Sequence, residues 1–426
     1  MSLGKQLQKD FSWMLAGNIV YSACQWLLVV VLAKLGNTRQ VGEYALGMAI
    51  AAPVLLFANL QLRSLIASDV AGTFRFGQYL VFRLISLAAV LLIVMASVAG
   101  SGSGSAGVIA LVCGAQAVEV VSDLFFGLMQ KQDRLMNVSI SLILRGPLSL
   151  AAVWAVMYST GRVLYALAAL FLVRVAVLLI WDARFAVARL AQPSAVNNLS
   201  GLWPLLRTAF PLGIVSMLGS LNANIPRYFV QAHLGSAELG IFSAVASLLS
   251  AGMLVVSAYG QAMFVSVANC CAAFDRAGFR KFILLAVLFG VALGASAILI
   301  SAAFGRTILT RLFRPEYGEH VDVLVRVMIA GTLTFIALGL GFVMTAARSI
   351  LPQVPLLAAT GAAAVLGSAT LVPHSGLLGA ADAGIFAAFI QLAGSFPILF
   401  SIDRRLNARP GPLPTGLEQA AEIEAI

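Results

Sequence analysis

Charged residues are scarce in this 426-residue chain, in which Asp, Glu, Lys and Arg together make up 10% of positions. Soluble domains of ordinary composition carry about 25%. Hydrophobic residues reach 61%, and the mean hydropathy is +0.97. The scarcity of charge excludes a soluble globular protein and predicts an integral membrane protein.

Cysteine and histidine are also few. The four cysteines, Cys24, Cys113, Cys270 and Cys271, lie in or beside apolar runs without ligand spacing, which argues against a metal site or a disulfide framework. We find no nucleotide-binding loop and no Ser/His/Asp arrangement, and we expect no cofactor and no enzymatic activity. The net charge of +10 comes from residues flanking apolar runs, so it predicts membrane orientation rather than nucleic-acid binding.

Apolar runs of about 20 residues, the length that a helix needs to cross a bilayer, recur about twelve times. Strand-type alternation is absent, so the prediction is an all-α membrane protein with about twelve transmembrane helices. The predicted spans are 11–35, 42–67, 79–99, 107–130, 137–158, 162–181, 208–233, 238–265, 281–304, 321–345, 351–372 and 383–402. The first run is too long for a signal-peptide core and is expected to be retained.

The basic residues predict the orientation of these spans. Most of the 27 Lys and Arg residues fall on the side of the N-terminus, which places both termini in the cytoplasm by the positive-inside rule. Four arginines are assigned to the interior of spans rather than to loops or span ends: Arg145, Arg174, Arg227 and Arg326. We expect two six-helix bundles, 1–195 and 196–409, followed by a disordered cytoplasmic tail, 410–426.

The two predicted bundles resemble each other. Leu35-Gly36 followed by VGEY at 41–44 matches Leu234-Gly235 followed by LGIF at 239–242, if one residue is gapped. Six spans, a basic link and six more spans in the same orientation indicate a parallel repeat about an axis along the membrane normal. That symmetry suits alternating access.

The hairpin at 116–146 concentrates charge inside the membrane, where charge is costly. Gln116, Glu119, Asp123, Gly127 and Gln130 recur every three or four residues, so they form a central polar stripe on one helix face, which should contact protein or water. Asp123 and Arg145 are equally far from Arg134 in the turn. We therefore predict that they form an ion pair, with Glu119 one turn deeper.

Three intramembrane arginines, Arg145, Arg174 and Arg227, are the candidate functional cations, in a water-filled cavity. The alternative is that they form structural ion pairs or extend to the membrane surface. Polar positions on the first and seventh spans are candidates to face the same cavity: Asn18, Gln25, Asn222 and Asn224. Pro226 should kink the seventh span. Glu119 and Asp123 are the candidate ion-coupling residues, because desolvation and a nearby arginine can tune a carboxylate.

Two stretches carry a family resemblance. EVVSDLFFGLMQKQDR at 119–134 followed by ISLILRG at 140–146, and IPRYF at 225–229 followed by LG at 234–235 and LGIFS at 239–243, resemble the Wzx-type polysaccharide repeat-unit flippases. These belong to the multidrug/oligosaccharidyl-lipid/polysaccharide exporter superfamily. The resemblance implies two bundles facing each other in a V in the bacterial cytoplasmic (inner) membrane. It further implies transport of undecaprenyl-diphosphate-linked oligosaccharide from the cytoplasmic to the periplasmic leaflet. By position, the resemblance makes the three arginines, with the polar positions facing the same cavity, the candidate substrate-binding residues, and Glu119 and Asp123 the candidate coupling residues.

Candidate partners are this lipid-linked oligosaccharide, membrane lipid, a proton or sodium ion, and polysaccharide assembly proteins. One alternative is an ion-coupled multidrug exporter of the same superfamily, which would favour an acidic cavity. A peptidoglycan-precursor flippase usually resembles a fourteen-span variant. Another class is a membrane enzyme of the sugar pathway, a polymerase or acyltransferase, which would need a large outer loop or an intramembrane histidine.

Overall fold

The computed structural model describes residues 3–68, 75–100, 105–187 and 202–407, and regular structure in these ranges is entirely helical. The helices of the first half are α1 (Leu3–Leu35), α2 (Thr38–Asn59), α3 (Leu62–Ser68), α4 (Phe76–Gly100), α5 (Ala106–Lys131), α6 (Leu135–Thr160), α7 (Val163–Val177), a π-helical segment (Leu178–Ala183) and α8 (Arg184–Val187). Those of the second half are α9 (Leu202–Leu234), α10 (Ser236–Ser247), α11 (Leu249–Ala272), α12 (Arg276–Leu312), a 3-10 turn (Pro315–Glu319), α13 (Val321–Ala346) and α14 (Gln353–Asn407). The predicted boundary at 195–196 and the tail at 410–426 lie outside the described residues.

Ten helical stretches in the described ranges are long and apolar enough to cross a membrane. α9 lies over the predicted seventh span. The 55-residue α14 covers the eleventh and twelfth spans together. The chain is therefore a multi-pass membrane protein, and the predicted all-α fold is confirmed.

The helix α14 is a tight helical hairpin. Gly376 has a φ of 58° and a ψ of −132°, a left-handed conformation that favours glycine. Close contacts pair residues at equal distances on either side of this point. A Cβ added at Gly379 would meet the Leu371 carbonyl, one added at Gly367 would meet Ala383, and one added at Gly394 would meet Leu356. The two halves of α14 therefore run antiparallel, and each has the length of one span.

Two predicted span limits are wrong. The second span ends at Asn59 rather than at 67, because Leu60 and Gln61 both have positive φ values, 49° and 53°, and α3 starts a new direction. The predicted eighth span lies within one apolar stretch, Ser236–Ala272, in which α10 and α11 join at Leu248. The sixth continues past 181 through the π-helical segment to Val187.

The two halves meet through a reciprocal helix contact. A Cβ at Gly42 would overlap the Ser236 carbonyl and approach the Gly240 nitrogen, and a Cβ at Gly240 would overlap the Thr38 carbonyl and approach the Gly42 nitrogen. Thr38 and Gly42 are as far apart in sequence as Ser236 and Gly240. Such a self-complementary contact is the signature of twofold symmetry. It supports the predicted relation between VGEY at 41–44 and LGIF at 239–242.

A second contact between the halves runs along α2 and α9. The Tyr228 hydroxyl donates to the Ala49 carbonyl, and the Gln61 amide donates to the Ser216 hydroxyl at 3.1 Å. α1 begins and α14 ends on one side of the bundle, called here the terminal side, and Gln61 lies towards it. The reciprocal glycine contact lies towards the opposite side.

Candidate functional site

The central polar stripe on α5 faces protein, as predicted, but it faces two different neighbours. Gln116 and Glu119 contact α7 and α1. Asp123, Gly127 and Gln130 contact α3. A Cβ added at Gly127 would lie 3.1 Å from the Arg63 Cα. The stripe therefore connects the elements of the first half.

The predicted ion pair between Asp123 and Arg145 is wrong. Arg145 Nη2 bonds Asp182, with 2% and 0% of the two side chains exposed, and also donates to the Ser122 hydroxyl at 2.7 Å. The Ser141 hydroxyl donates to the second Asp182 oxygen at 2.5 Å. Arg145 contacts α5 at Ser122 and over the Phe126 ring, and Asp123 is bound by Arg63 instead. The pair of Arg145 and Asp182 is closed to water.

Asp123 instead belongs to a cluster near the terminal side. Its carboxylate accepts from Arg63 Nη1 at 3.1 Å and from the Asn59 amide at 3.3 Å. The Arg63 and Asp123 side chains are 27% and 24% exposed. Arg83, near the start of the predicted third span, is buried in α4, where it donates to the Ala58 carbonyl at 3.0 Å and to Asn59 Oδ1 at 2.9 Å.

Arg174 joins α7 to α1 and α5. Its Nη2 lies 2.9 Å from Glu119 Oε1 and 3.3 Å from Gln25 Oε1, and its Nη1 donates to Gln116 Oε1 at 2.8 Å. The Tyr21 hydroxyl also donates to Glu119. Arg174 is 3% exposed, whereas Glu119 is 23% exposed. The arginine thus lies inside the bundle, and the carboxylate reaches its accessible surface.

Arg227 lies on α9 beside the contact with α2. Its Nη1 donates to Asn224 Oδ1 at 2.6 Å, and it forms no ion pair with a carboxylate in the described part of the chain. Its side chain is partly exposed. The adjacent Pro226 has no N–H group to donate to the Asn222 carbonyl. That carbonyl therefore lacks its helical hydrogen bond and adds a polar group to this part of α9.

The remaining predicted site residues are dispersed. The Asn222 amide donates to the Leu357 carbonyl of α14 at 2.8 Å, and the Asn224 amide donates within its own helix to Ser220 at 2.8 Å. Asn18 is exposed, and its amide donates to the Met14 carbonyl at 2.8 Å. The structure therefore joins Gln25 to the Arg174 cluster and Asn224 to Arg227, and it leaves Asn18 and Asn222 apart.

The sequence prediction misses Asp182, because it ends the sixth span at 181. A signal was present, because WDARF at 181–185 and IDRRL at 402–406 are similar and each closes the sixth span of its half. Asp403 also binds arginine, accepting from Arg276 and Arg280. An aspartate at the same place in both repeats predicts a bound arginine in each half.

The described residues include no group of His, Cys, Asp and Glu that could hold a metal ion. All four cysteines are free.

A family model and a characterised protein that match this sequence carry similar descriptions. A family model described as polysaccharide biosynthesis protein matches residues 7–264. A capsular polysaccharide biosynthesis protein of Staphylococcus aureus, CapF, is 28% identical over 394 residues, which are 90% of this chain and 97% of that protein.

Solved structures that share the fold include a lipid flippase and a multidrug transporter. The lipid II flippase MurJ in an inward closed conformation has a TM-score of 0.69 and 9% identity, over 92% of this chain and 89% of MurJ. An inward-facing multidrug resistance MATE family transporter of the MOP superfamily has a TM-score of 0.65 and 13% identity, over 91% and 95%. The predicted two-bundle architecture is therefore confirmed.

Proposed function

The chain belongs to the polysaccharide biosynthesis protein family, and from that premise we propose that it is a flippase for undecaprenyl-diphosphate-linked oligosaccharide repeat units. It moves them from the cytoplasmic to the periplasmic leaflet of the bacterial inner membrane, for O-antigen, capsule or exopolysaccharide. Family membership agrees with the resemblance carried by 119–146 and 225–243.

The observation that carries this proposal is the state of Arg227. Arg145, Arg174 and Arg326 each have a carboxylate partner, whereas Arg227 has only the Asn224 amide oxygen among the described residues. An arginine in mid-membrane costs about 2.5–3.5 kcal/mol or more, so it is retained where a ligand or water compensates it. A diphosphate is a suitable ligand, because its oxygens match the guanidinium fork.

The other candidates take different parts in this proposal. Arg174, with Gln25 and the accessible Glu119, forms the wall of the path on the first half. Arg145 is sealed against Asp182, so we assign it to positioning α6 rather than to contact with substrate. Asn224 orients the Arg227 side chain, and the exposed Asn18 is placed at the entry side on α1.

Alternating access follows from the repeat. The two halves can rock about the reciprocal contact of Gly42 and Gly240 while the path opens to either side, the mode expected for parallel repeats. The basic terminal side is the cytoplasmic side by the positive-inside rule. The lipid-linked sugar therefore enters from the terminal side and leaves on the opposite side.

A multidrug exporter is the second candidate, since a multidrug transporter shares the fold. Export of organic cations would require accessible carboxylates without a bound cation. Glu119 and Asp123 are accessible, but each is paired with an arginine. This balance favours an anionic substrate. Glu119 and Asp123 are retained as the proposed ion-coupling residues.

Deletion of the gene tests the proposal. Lipid-linked repeat units should accumulate on the cytoplasmic leaflet, and surface polymer should disappear, with both effects reversed by the intact gene. Units that reach the periplasmic leaflet but stay unpolymerised would instead indicate a polymerase. Unchanged polymer together with increased sensitivity to cationic drugs would indicate a multidrug exporter.

A further inference from the structure

A groove lies on the second half, between α12 and the C-terminal arm of α14, at the terminal side. Its volume is about 610 Å³, and its lining includes Ile283, Phe396, Phe400, Arg280 and Asp403. The contact between the two halves uses α9 and α10 instead. The groove is therefore separate from the proposed substrate path.

The rim of this groove is positively charged. Asp403 accepts two bonds from Arg276, at 2.9 and 2.7 Å, and two from Arg280, both at 2.8 Å. One carboxylate thus offsets only one of two guanidinium charges. Arg280 is 58% exposed, and its Nη1 has no hydrogen-bond partner among the described residues. Arg404 is exposed and lies 4.5 Å above the Phe400 ring.

The floor of the groove is apolar and accessible. Phe396 is 53% and Phe400 is 55% exposed, and the neighbouring Leu284 on α12 is 56% exposed. These residues lie deeper in the membrane than Arg280 and Arg404, by one to two helical turns. The groove thus combines cations at the depth of lipid headgroups with an apolar channel at the depth of acyl chains.

We propose that this groove binds one anionic phospholipid of the terminal-side leaflet. Its phosphate contacts Arg280 and Arg404, and an acyl chain lies against Phe396 and Phe400. Basic pockets between transmembrane helices on the cytoplasmic side suit such headgroups. A free phosphate ion would satisfy the rim but leave the apolar floor uncovered. A zwitterionic lipid would satisfy the floor but lacks the net charge that matches the rim.

Lipid retention by the full-length protein in detergent tests this proposal. Native mass spectrometry should show one tightly retained phosphatidylglycerol, and phosphatidylcholine added at equal concentration should be retained at least about tenfold less. The double variant Arg280→Gln/Arg404→Gln should lose this preference, and Arg280→Lys/Arg404→Lys should keep most of it. The matched control Lys131→Gln/Arg207→Gln removes two exposed charges elsewhere and should retain the lipid unchanged.

Three outcomes would overturn the proposal. One is equal retention of the two lipids by the unaltered protein, and another is equal loss in the control and in the groove variant. The third is displacement of the lipid by millimolar inorganic phosphate, which would assign the rim to a free anion. The readout is lipid binding, so failure here leaves the deletion test of the proposed function untouched.

Discussion

The arginines inside the membrane differ in what neutralises them. Arg145 has a buried aspartate, Arg174 has a partly exposed glutamate, and Arg227 has an amide oxygen among the described residues. Removal of one partner from a buried ion pair leaves a charge without compensation, whereas an exposed pair is screened by water. The same kind of substitution should therefore have very different effects at different positions.

Asp182→Asn should lower the free energy of unfolding by roughly 3–5 kcal/mol, because it leaves the Arg145 charge without a counter-charge in a site closed to water. Asp123→Asn should cost about 1 kcal/mol or less, since Asp123 and Arg63 are both about a quarter exposed. Thermal unfolding of the purified protein in detergent, followed by tryptophan fluorescence, compares them. Equal losses of stability in the two variants would show that the burial of the Arg145 pair has no such consequence.

The sequence predicts that Asp123 and Arg145 lie in the membrane but not how they pair. Asp123 and Arg145 have matching depth, yet depth says nothing about the rotation of each helix. Arg145 meets α5 at Ser122 and Phe126 rather than at Asp123, and its carboxylate partner Asp182 comes from the π-helical segment after α7. Tertiary packing determines which carboxylate Arg145 meets and where Asp182 lies, and the pattern of a single sequence does not predict that packing.

At the scale of elements, the close approach of α2 and α10 depends on glycine. A side chain at Gly42 would meet the backbone of Ser236, and backbone is less able to shift than a flexible side chain. Small residues at membrane helix contacts allow backbones to pack directly. Other glycines have room for a side chain: Cβ atoms added at Gly219 of α9 and Gly341 of α13 would meet nothing within 4 Å.

Gly42→Ala and Gly240→Ala should each destabilise the protein by about 1–3 kcal/mol, the usual cost of overpacking, and should reduce surface polymer. Gly219→Ala and Gly341→Ala serve as matched controls and should change stability by about 0.5 kcal/mol or less. Apparent melting temperatures in detergent and polymer immunoblots measure the two effects. The assignment of a contact at Gly42 and Gly240 fails if the two pairs of variants behave alike.

Long apolar runs predict the positions of the spans, because a helix of about 20 apolar residues has the length of the bilayer core and no other common structure requires such a run. The missed features are the turn at Leu60 and Gln61 and the π-helical segment after α7. Neither carries Gly or Pro at the turning residues. The polar residues Asn59, Gln61 and Arg63 do interrupt the apolar run at the turn, and Asp182 interrupts it in the π-helical segment.

At the scale of the whole molecule, transport needs an energy source, and the proposed coupling residues predict which. If Glu119 binds a proton or sodium ion, collapse of that gradient in proteoliposomes should abolish net accumulation of lipid-linked sugar in the second leaflet. Glu119→Gln should transport to an equal distribution and no further, with or without the gradient. Full accumulation in the unaltered protein after both gradients are collapsed would exclude ion coupling through Glu119 and Asp123.

The repeat relates the two halves, but their sites have diverged. Both sixth spans end in an arginine-binding aspartate, whereas only the second half carries Arg227 beside the contact between halves. The central claim is that this arginine receives the diphosphate in the path between the halves. One charge-assisted contact contributes about 1.5–3 kcal/mol, so its loss should reduce transport roughly 10- to 100-fold.

Translocation in proteoliposomes tests that claim most directly. Lipid-linked repeat units purified from the deletion strain are placed in one leaflet, and their appearance in the other is timed with the unaltered protein and with Arg227→Ala, Arg227→Lys and Arg326→Ala, the last being a matched control. Translocation should fall roughly 10- to 100-fold with Arg227→Ala, recover in part with Arg227→Lys and persist with Arg326→Ala. Normal translocation by Arg227→Ala, at equal incorporation and folding, would contradict the account.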